Sequence, residues 1–149
     1  MNVIENGGFE AWPDQLPEKW FGITSNIAST DVQKVTTGAF EGVNAVRLIN
    51  SSTTHRCFST KGKSMTAGRY SCTFQARGTG EVRNASFDGD YSTYSAYVTV
   101  NTTQWTRLAY SFNLASDVAD EFELVFSVRN TSGEHLLIDD VACVQADAP

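Results

Sequence analysis

The feature that most constrains this fold is an alternation of apolar and polar side chains along Arg69–Arg77. Tyr70, Cys72, Phe74 and Ala76 alternate there with polar residues. A period of two is typical of a β-strand with one buried face, because successive side chains of a strand point to opposite sides of the sheet. The run therefore predicts a strand that packs one face against a core.

Short runs of the same kind recur along the chain, separated by turn-forming clusters such as Asp88–Asp90. The one helix-compatible stretch, Ala115–Glu121, is too short for more than a turn or two. About ten strands at a spacing of roughly ten residues predict an all-β fold, an antiparallel β-sandwich or jelly roll with little or no helix. The predicted strands are Asn2–Glu10, Asp31–Thr36, Ala45–Ile49, His55–Thr60, Arg69–Arg77, Glu81–Phe87, Tyr94–Val100, Trp105–Leu114, Phe122–Arg129 and His135–Val144.

The length and charge of the chain argue against several classes of protein. A chain of 149 residues without a linker or an internal repeat is expected to form a single domain over residues 1–149. No apolar run approaches the roughly 20 residues of a membrane-spanning helix. The net charge of −6 argues against nucleic acid as a partner, because a phosphate-binding surface needs clustered basic residues.

Three cysteines leave at least one of them unpaired. Cys57 and Cys72 lie in neighbouring predicted strands, so antiparallel pairing could bring them close, and Cys143 lies in the last apolar run. The favoured interpretation is three buried thiols that behave as small hydrophobic residues. Whether Cys57 and Cys72 form a disulfide stays open at this point.

Six segments at both ends and in the middle of the chain carry a family resemblance: Asn6–Glu10, Pro17–Trp20, Thr37–Leu48, Thr66–Gly78, Gln104–Arg107 and Leu137–Val141. By these segments the chain resembles the galactose-binding-domain-like superfamily, and within it the jelly-roll carbohydrate-binding modules of families 4, 9 and 22. The resemblance implies an extracellular or cell-surface location, since such modules are often joined to other domains of larger secreted or surface proteins. The first ten residues lack the pattern of a signal peptide.

The resemblance also implies a structural calcium ion where the first and last strands meet. Ca²⁺ takes six to eight hard oxygen ligands, which carboxylates and backbone carbonyls supply. Carried over to this chain, the ligands are Glu10, Glu41, Asn44 and Asp139. Asp140 is the alternative to Asp139, because adjacent residues of a strand point to opposite faces.

A sugar-binding β surface needs aromatic faces to stack on the sugar rings and polar groups to bind the hydroxyls. The candidate ligand residues are Tyr91, Tyr94 and Tyr97, with Arg77 and Arg129 as polar partners. In a regular strand Tyr94 and Tyr97 point to opposite faces, so both can serve only if the chain bulges or turns between them. Further polar candidates are Gln75, Ser127, Arg47, His55 and Arg56, and two tryptophans are expected in the core, Trp20 and Trp105.

The sequence contains none of the common catalytic motifs, such as a nucleophile elbow, a zinc-binding helix or a phosphate loop. The expected function is that of a non-catalytic module that binds poly- or oligosaccharide. The alternative is a structural or adhesive domain that keeps the scaffold without a sugar site, and a concave face without exposed aromatic residues would favour it. A hydrolase would instead require two convergent carboxylates or a nucleophile beside a histidine.

Overall fold

A computed structural model describes residues 1–146, and in this part of the chain nine β-strands pair antiparallel. The one helix among these residues is a single 3-10 turn, Ser29–Asp31. The predicted all-β jelly roll is therefore confirmed. The strands are β1 (Val32–Val35), β2 (Ala45–Leu48), β3 (Arg56–Ser59), β4 (Lys63–Met65), β5 (Gly68–Phe87), β6 (Tyr91–Tyr94), β7 (Val98–Leu114), β8 (Val118–Arg129) and β9 (Leu136–Gln145).

Strand β5 is 20 residues long and takes part in both layers of the sandwich. Its first half, through Gly78, pairs with β9 and β7, whereas its second half pairs with β8, β6 and the start of β7. The register shifts between Ala76 and Gly78. Gly78 has a φ of +102°, and a Cβ atom there would lie 1.9 Å from the carbonyl oxygen of His135, so glycine is required at this irregularity.

The shorter strands complete the two layers around β5. Strands β1 and β2 extend one layer beyond β9, and β3 and β4 both pair with β8 in the other. The core between the layers is rich in aromatic side chains. Trp20, predicted to be a core residue, is 1% exposed, and its ring lies 4.8 Å from Phe9 and 4.9 Å from Phe58. Burying a side chain of this size stabilises the fold by about 2–3 kcal/mol.

Several predicted element boundaries are wrong. The first run, Asn2–Glu10, forms turns instead of a strand and is tied to β9 only by a bridge from Asn2 to Val144 and by single hydrogen bonds. Two predicted strands merge into β5, because the polar connection between them continues the ladder. The predicted strand Tyr94–Val100 is divided, since Tyr94 ends β6 and only its last residues join Trp105–Leu114 in β7. The stretch proposed as helix-compatible instead leads into β8, which begins at Val118.

The cysteine interpretation is also wrong. Cys72 of β5 lies directly opposite Cys143 of β9, and the two form a disulfide that closes a sequence separation of 71 residues. Cys57 is the free cysteine and is buried. It cannot reach Cys72, since β3 pairs with β8 and the Cys57 side chain belongs to a separate apolar cluster. Alternation along single strands does not reveal which strands become neighbours.

Trp105, also expected in the main core, packs elsewhere. It is half-buried against a small apolar cluster of Val35, Ala45 and Leu137. Leu137 lies between Leu136 and Ile138, which face the main core, so this cluster occupies the opposite face of β9. No helix in the described part of the chain is long and apolar enough to cross a membrane.

Candidate functional site

A groove of about 350 Å³ lies on the sheet face formed by β3, β8, β5 and β6. Apart from Arg83, its floor is made of small side chains that the strand register aligns. Cys57 and Arg83 are both partners of Ser127, and Ala85 is a partner of Val125. Because these floor residues other than Arg83 are short, they leave open space above the sheet between taller side chains on either side.

The first wall of the groove is aromatic. Tyr91 and Tyr94 come from β6, which pairs with the end of β5 and places Tyr94 opposite Ala85. Tyr94 is 66% exposed and Tyr91 is 51% exposed. The ring of Phe87 meets that of Tyr91 edge to face at 5.1 Å. The β5–β6 pairing has a register shift between Ser86 and Phe87, so Tyr91 and Tyr94 both border the groove although they are three residues apart. The wall therefore presents two phenol rings to solvent.

Tyr97 lies beyond the wall and is held by two arginines. The chain leaves strand geometry after Tyr94, and β7 begins only at Val98. Because of this break, the alternation of a regular strand does not apply between Tyr94 and Tyr97, and both rings contact Arg83. The Cζ atom of Arg83 lies 4.8 Å from the centre of the Tyr94 ring and 4.7 Å from that of Tyr97. Arg129 lies 3.8 Å from the centre of the Tyr97 ring. The Tyr97 hydroxyl forms a 2.7 Å hydrogen bond with Ser127, which fixes its position at the edge of the groove.

The opposite wall is a loop that carries Thr24 and Asn26, with His55 beside it. Glu123 holds this loop in place, because its carboxylate accepts hydrogen bonds from the backbone N–H groups of Ile23 and Thr24 and from the Thr24 hydroxyl. The Ser59 hydroxyl donates a fourth hydrogen bond to it. Glu123 is 1% exposed, so all four bonds are shielded from water.

Arg83 and Arg129, which both contact Tyr97, differ in their charge partners. Arg129 donates two hydrogen bonds to Glu81, at 2.9 and 3.1 Å. Hydrogen bonds from Asn130 and Arg129 lower the pKa of Glu81. Arg83, which the sequence argument did not select, lines the groove itself. The signal for it was present, since Arg83 has the same strand parity on β5 as Arg77 and Gln75, which were selected.

Arg77 lies outside the groove. Its guanidinium is 5.0 Å from the centre of the Trp105 ring, and it donates to Glu134 at 3.3 Å and to the carbonyl of Gly38 at 3.4 Å. The exposed ring of Phe40 packs edge to face against Trp105 nearby. The structure thus brings Tyr91, Tyr94, Tyr97 and Arg129 together around one groove and leaves Arg77 on a different surface.

The candidate calcium ligands meet where the first turn, the loop before β2 and strand β9 converge. The Glu10 carboxylate accepts hydrogen bonds from the backbone N–H groups of Val43 and Asn44, at 2.8 and 2.9 Å. The Asp139 carboxylate accepts one from the backbone N–H of Glu41 at 3.0 Å. Hard oxygen atoms are therefore concentrated at this junction, and their chemistry suits a calcium ion.

The carboxylates at this junction influence one another. A hydrogen bond with the Asp140 side chain, together with its charge, raises the pKa of Glu41. Burial raises the pKa of Asp139 to about 6, although backbone N–H donors, including that of Asp140, oppose the shift. Within residues 1–146, no three histidine, cysteine, aspartate or glutamate side chains are arranged to hold one metal ion. A cation there would need backbone or amide oxygens in addition to the carboxylates.

The solved structures that resemble this chain include several carbohydrate-binding modules. A family 61 module solved in complex with β-1,4-galactotriose has a TM-score of 0.62 and 21% identity, covering 98% of this chain and 99% of its own. A family 16 module has a TM-score of 0.59 and 17% identity, covering 97% of this chain and 100% of its own. A family 22 xylan-binding domain from Paenibacillus barcinonensis has a TM-score of 0.64 and 11% identity, covering 96% and 93%.

These similarities extend over almost the whole chain, and they confirm the resemblance at the level of fold. The chain has the jelly-roll fold of these carbohydrate-binding modules. No protein-family model matches the sequence, and no curated protein matches it at a significant level. Structural similarity at identities this low establishes the fold but does not identify the ligand.

Proposed function

We propose that the protein is a non-catalytic carbohydrate-binding module and that the groove is its binding site. The observation that carries the proposal is the pair of exposed phenol rings, Tyr91 and Tyr94, standing beside a groove lined with hydrogen-bonding groups. Aromatic faces stack on the C–H groups of sugar rings, and Thr24, Asn26 and Ser127 supply donors and acceptors for the hydroxyls.

The fixed positions of these groups support the same function. Tyr94 is fixed by its pairing with Ala85, and Thr24 by the buried Glu123 carboxylate. A preorganised site loses little conformational entropy on binding. The ligands of two similar structures, galactotriose for the family 61 module and xylan for the family 22 domain, belong to the same class.

Two alternatives identified from the sequence receive less support. A purely structural or adhesive domain would have no need for exposed aromatic residues beside a groove, yet Tyr91 and Tyr94 are exposed there. A glycosidase needs two carboxyl groups about 5–10 Å apart across the substrate. The residues that line the groove include no aspartate or glutamate, and the carboxylate of Glu123 is occupied by its four hydrogen bonds.

A glycan array followed by titration calorimetry tests the proposal. The wild-type protein should bind at least one class of oligosaccharide, and Tyr94→Ala should weaken that binding about fivefold, since one stacked ring contributes about 1 kcal/mol. Phe40→Ala is the matched control, because it removes an exposed aromatic ring of the distant Trp105 surface. Failure to bind any glycan, or an equal effect of the two variants, would refute the proposed site.

We also propose a structural calcium ion at the junction of the chain ends, with oxygen ligands from Glu10, Glu41, Asn44 and Asp139. The support is the concentration of carboxylates without a basic partner. Among residues 1–146, none of these acids pairs with a lysine or arginine within 4.0 Å. A cation would relieve the repulsion that raises the pKa of Glu41.

Thermal unfolding with calcium or with a chelator tests this second proposal. Calcium at a hundred times its dissociation constant should stabilise the fold by about 2.7 kcal/mol and raise the melting temperature by several degrees. Asp139→Asn should abolish that response, and magnesium should reproduce little of it because it demands stricter octahedral geometry. Identical melting curves of the wild-type protein in calcium and in chelator would contradict the site.

We infer an extracellular or cell-surface location, where other domains of a larger protein would accompany this module. The Cys72–Cys143 disulfide supports this location, since such bonds persist mainly in oxidising compartments.

A further inference from the structure

We propose that the groove selects acidic carbohydrate, with Arg83 binding a carboxylate or sulfate group of the sugar. This inference rests on the proposed carbohydrate-binding function and specifies the class of ligand. It starts from an imbalance of charge. The whole chain carries a net charge of −6. The groove, however, is lined by two basic side chains, Arg83 and His55, and by no aspartate or glutamate. Its other ionisable groups are the Tyr91 and Tyr94 phenols and the Cys57 thiol.

Arg83 is the unpaired cation of this surface. Among residues 1–146, no carboxylate lies within 4.0 Å of its guanidinium nitrogens, and none of its N–H groups donates a hydrogen bond to another residue there. Arg129, on the next strand, differs because Glu81 neutralises it at 2.9 Å. A guanidinium carries five donors in a fixed plane, a geometry that matches an anionic oxygen pair.

The neighbouring rings hold Arg83 in place without neutralising it. Tyr94 and Tyr97 contact its guanidinium, at 4.8 and 4.7 Å from their ring centres. Stacking of this kind restricts the side chain, while its in-plane N–H groups stay available for a ligand. Arg129 lies against the same Tyr97 ring at 3.8 Å, so a second guanidinium is close.

Glu123 is an acidic residue whose charge reaches the groove wall, where burial, with the charges of Cys57 and Glu123, raises the pKa of Tyr91. The Glu123 carboxylate is buried and accepts four hydrogen bonds at the base of the loop wall. Arg83 and Arg56 both act on the Cys57 thiol at the groove floor, where their charges oppose the rise in pKa that burial causes. Arg83 and Arg56 therefore place positive charge near the groove floor.

A neutral sugar would use the rings and the hydroxyl-binding groups but would leave the Arg83 charge without a partner. A uronic acid or a sulfated sugar places its anionic group beside a stacked ring, so that one residue of the ligand can contact Tyr94 and Arg83 together. Such a charge-assisted hydrogen bond strengthens binding by about ten- to a hundredfold.

The test compares neutral, carboxylated and sulfated glycans on one array. The probes are β-1,4-galactan, xylan and β-glucan fragments, oligogalacturonate, glucuronoxylan and alginate fragments, and sulfated galactans. The best anionic binder is then titrated in calorimetry beside its neutral counterpart, the methyl ester of a carboxylated sugar or the desulfated form. We expect the anionic form to bind at least tenfold more tightly, with an advantage that decreases as salt increases.

Three variants identify the responsible charge. Arg83→Gln should lose the preference for the anionic form, and Arg83→Lys should retain part of it because the charge remains without the planar donors. Arg107→Gln is the matched control, since it removes an equal charge from an exposed position of β7 outside the groove. Melting temperatures of all three verify that each variant is folded.

The outcomes separate this inference from the proposed function. Binding of neutral glycans alone, or an anionic preference that survives in Arg83→Gln, would overturn the acidic-sugar assignment and leave the carbohydrate-binding module standing. Failure to bind any glycan would remove both. Carboxylate-specific and sulfate-specific binding would each support the assignment and would distinguish the two anionic groups.

Discussion

The disulfide between Cys72 and Cys143 makes a quantitative prediction about stability. It joins β5 to β9 and closes a sequence separation of 71 residues. A loop of that length loses enough chain entropy in the unfolded state to stabilise the fold by about 4 kcal/mol. For a domain of this size, the double variant C72A/C143A should therefore melt roughly 10 °C below the wild-type protein. Alanine is the suitable replacement because both positions are buried.

Guanidinium unfolding with and without a reductant measures the same effect. Reductant should lower the midpoint of the wild-type protein and of Cys57→Ala, and it should leave C72A/C143A unchanged. Cys57→Ala is the internal control, because Cys57 is the free thiol. Thiol titration of the denatured, unreduced protein should find one reactive cysteine. Three reactive cysteines in protein kept under oxidising conditions, or midpoints that do not respond to reductant, would refute the pairing.

Three further predictions concern buried polar groups. Glu123→Ala should cost about 3 kcal/mol in differential scanning calorimetry, since it strands four donors, and should weaken glycan binding by releasing the loop of Thr24. The folded-state pKa of Asp139 is about 6, above its usual value of 3.8. The free energy of unfolding in chelator should therefore fall by about 2 kcal/mol as pH rises from 4 to 6, and Asp139→Asn should flatten that slope. A rise in stability over this range would contradict the effect of burial. Tyr97→Phe should lose about 1 kcal/mol of stability with its hydroxyl bond to Ser127, as chemical denaturation would measure.

The strand pattern was largely predictable from the sequence because side-chain alternation reports directly on a half-buried sheet. Tyr70, Phe74 and Ala76 alternate as expected along β5 and face the core. The merging of two predicted strands at Gly78 was not predictable, since the polar connection there continues the ladder through a bulge. The N-terminal segment was wrongly predicted to be a strand. Its backbone forms turns and is joined to β9 by single hydrogen bonds, a difference that its apolar residues do not reveal.

The candidate groove was predictable in part. The tyrosine cluster was predicted because three phenol rings in seven positions exceed what a core strand needs. The structure adds a break before Val98, which brings Tyr94 and Tyr97 to one arginine. That arginine, Arg83, and the loop carrying Thr24 were missed. Their contribution depends on which strands and loops lie side by side, and local periodicity carries no information about that arrangement.

The most direct test of the central claim is to locate the ligand by NMR. Backbone amide shifts of the isotope-labelled protein are followed as the best glycan from the array is added. The perturbed residues should cluster around Tyr94, Arg83 and Ser127, with Thr24 on the facing wall. Perturbations confined to the surface of Phe40 and Trp105, with the groove unaffected, would contradict it.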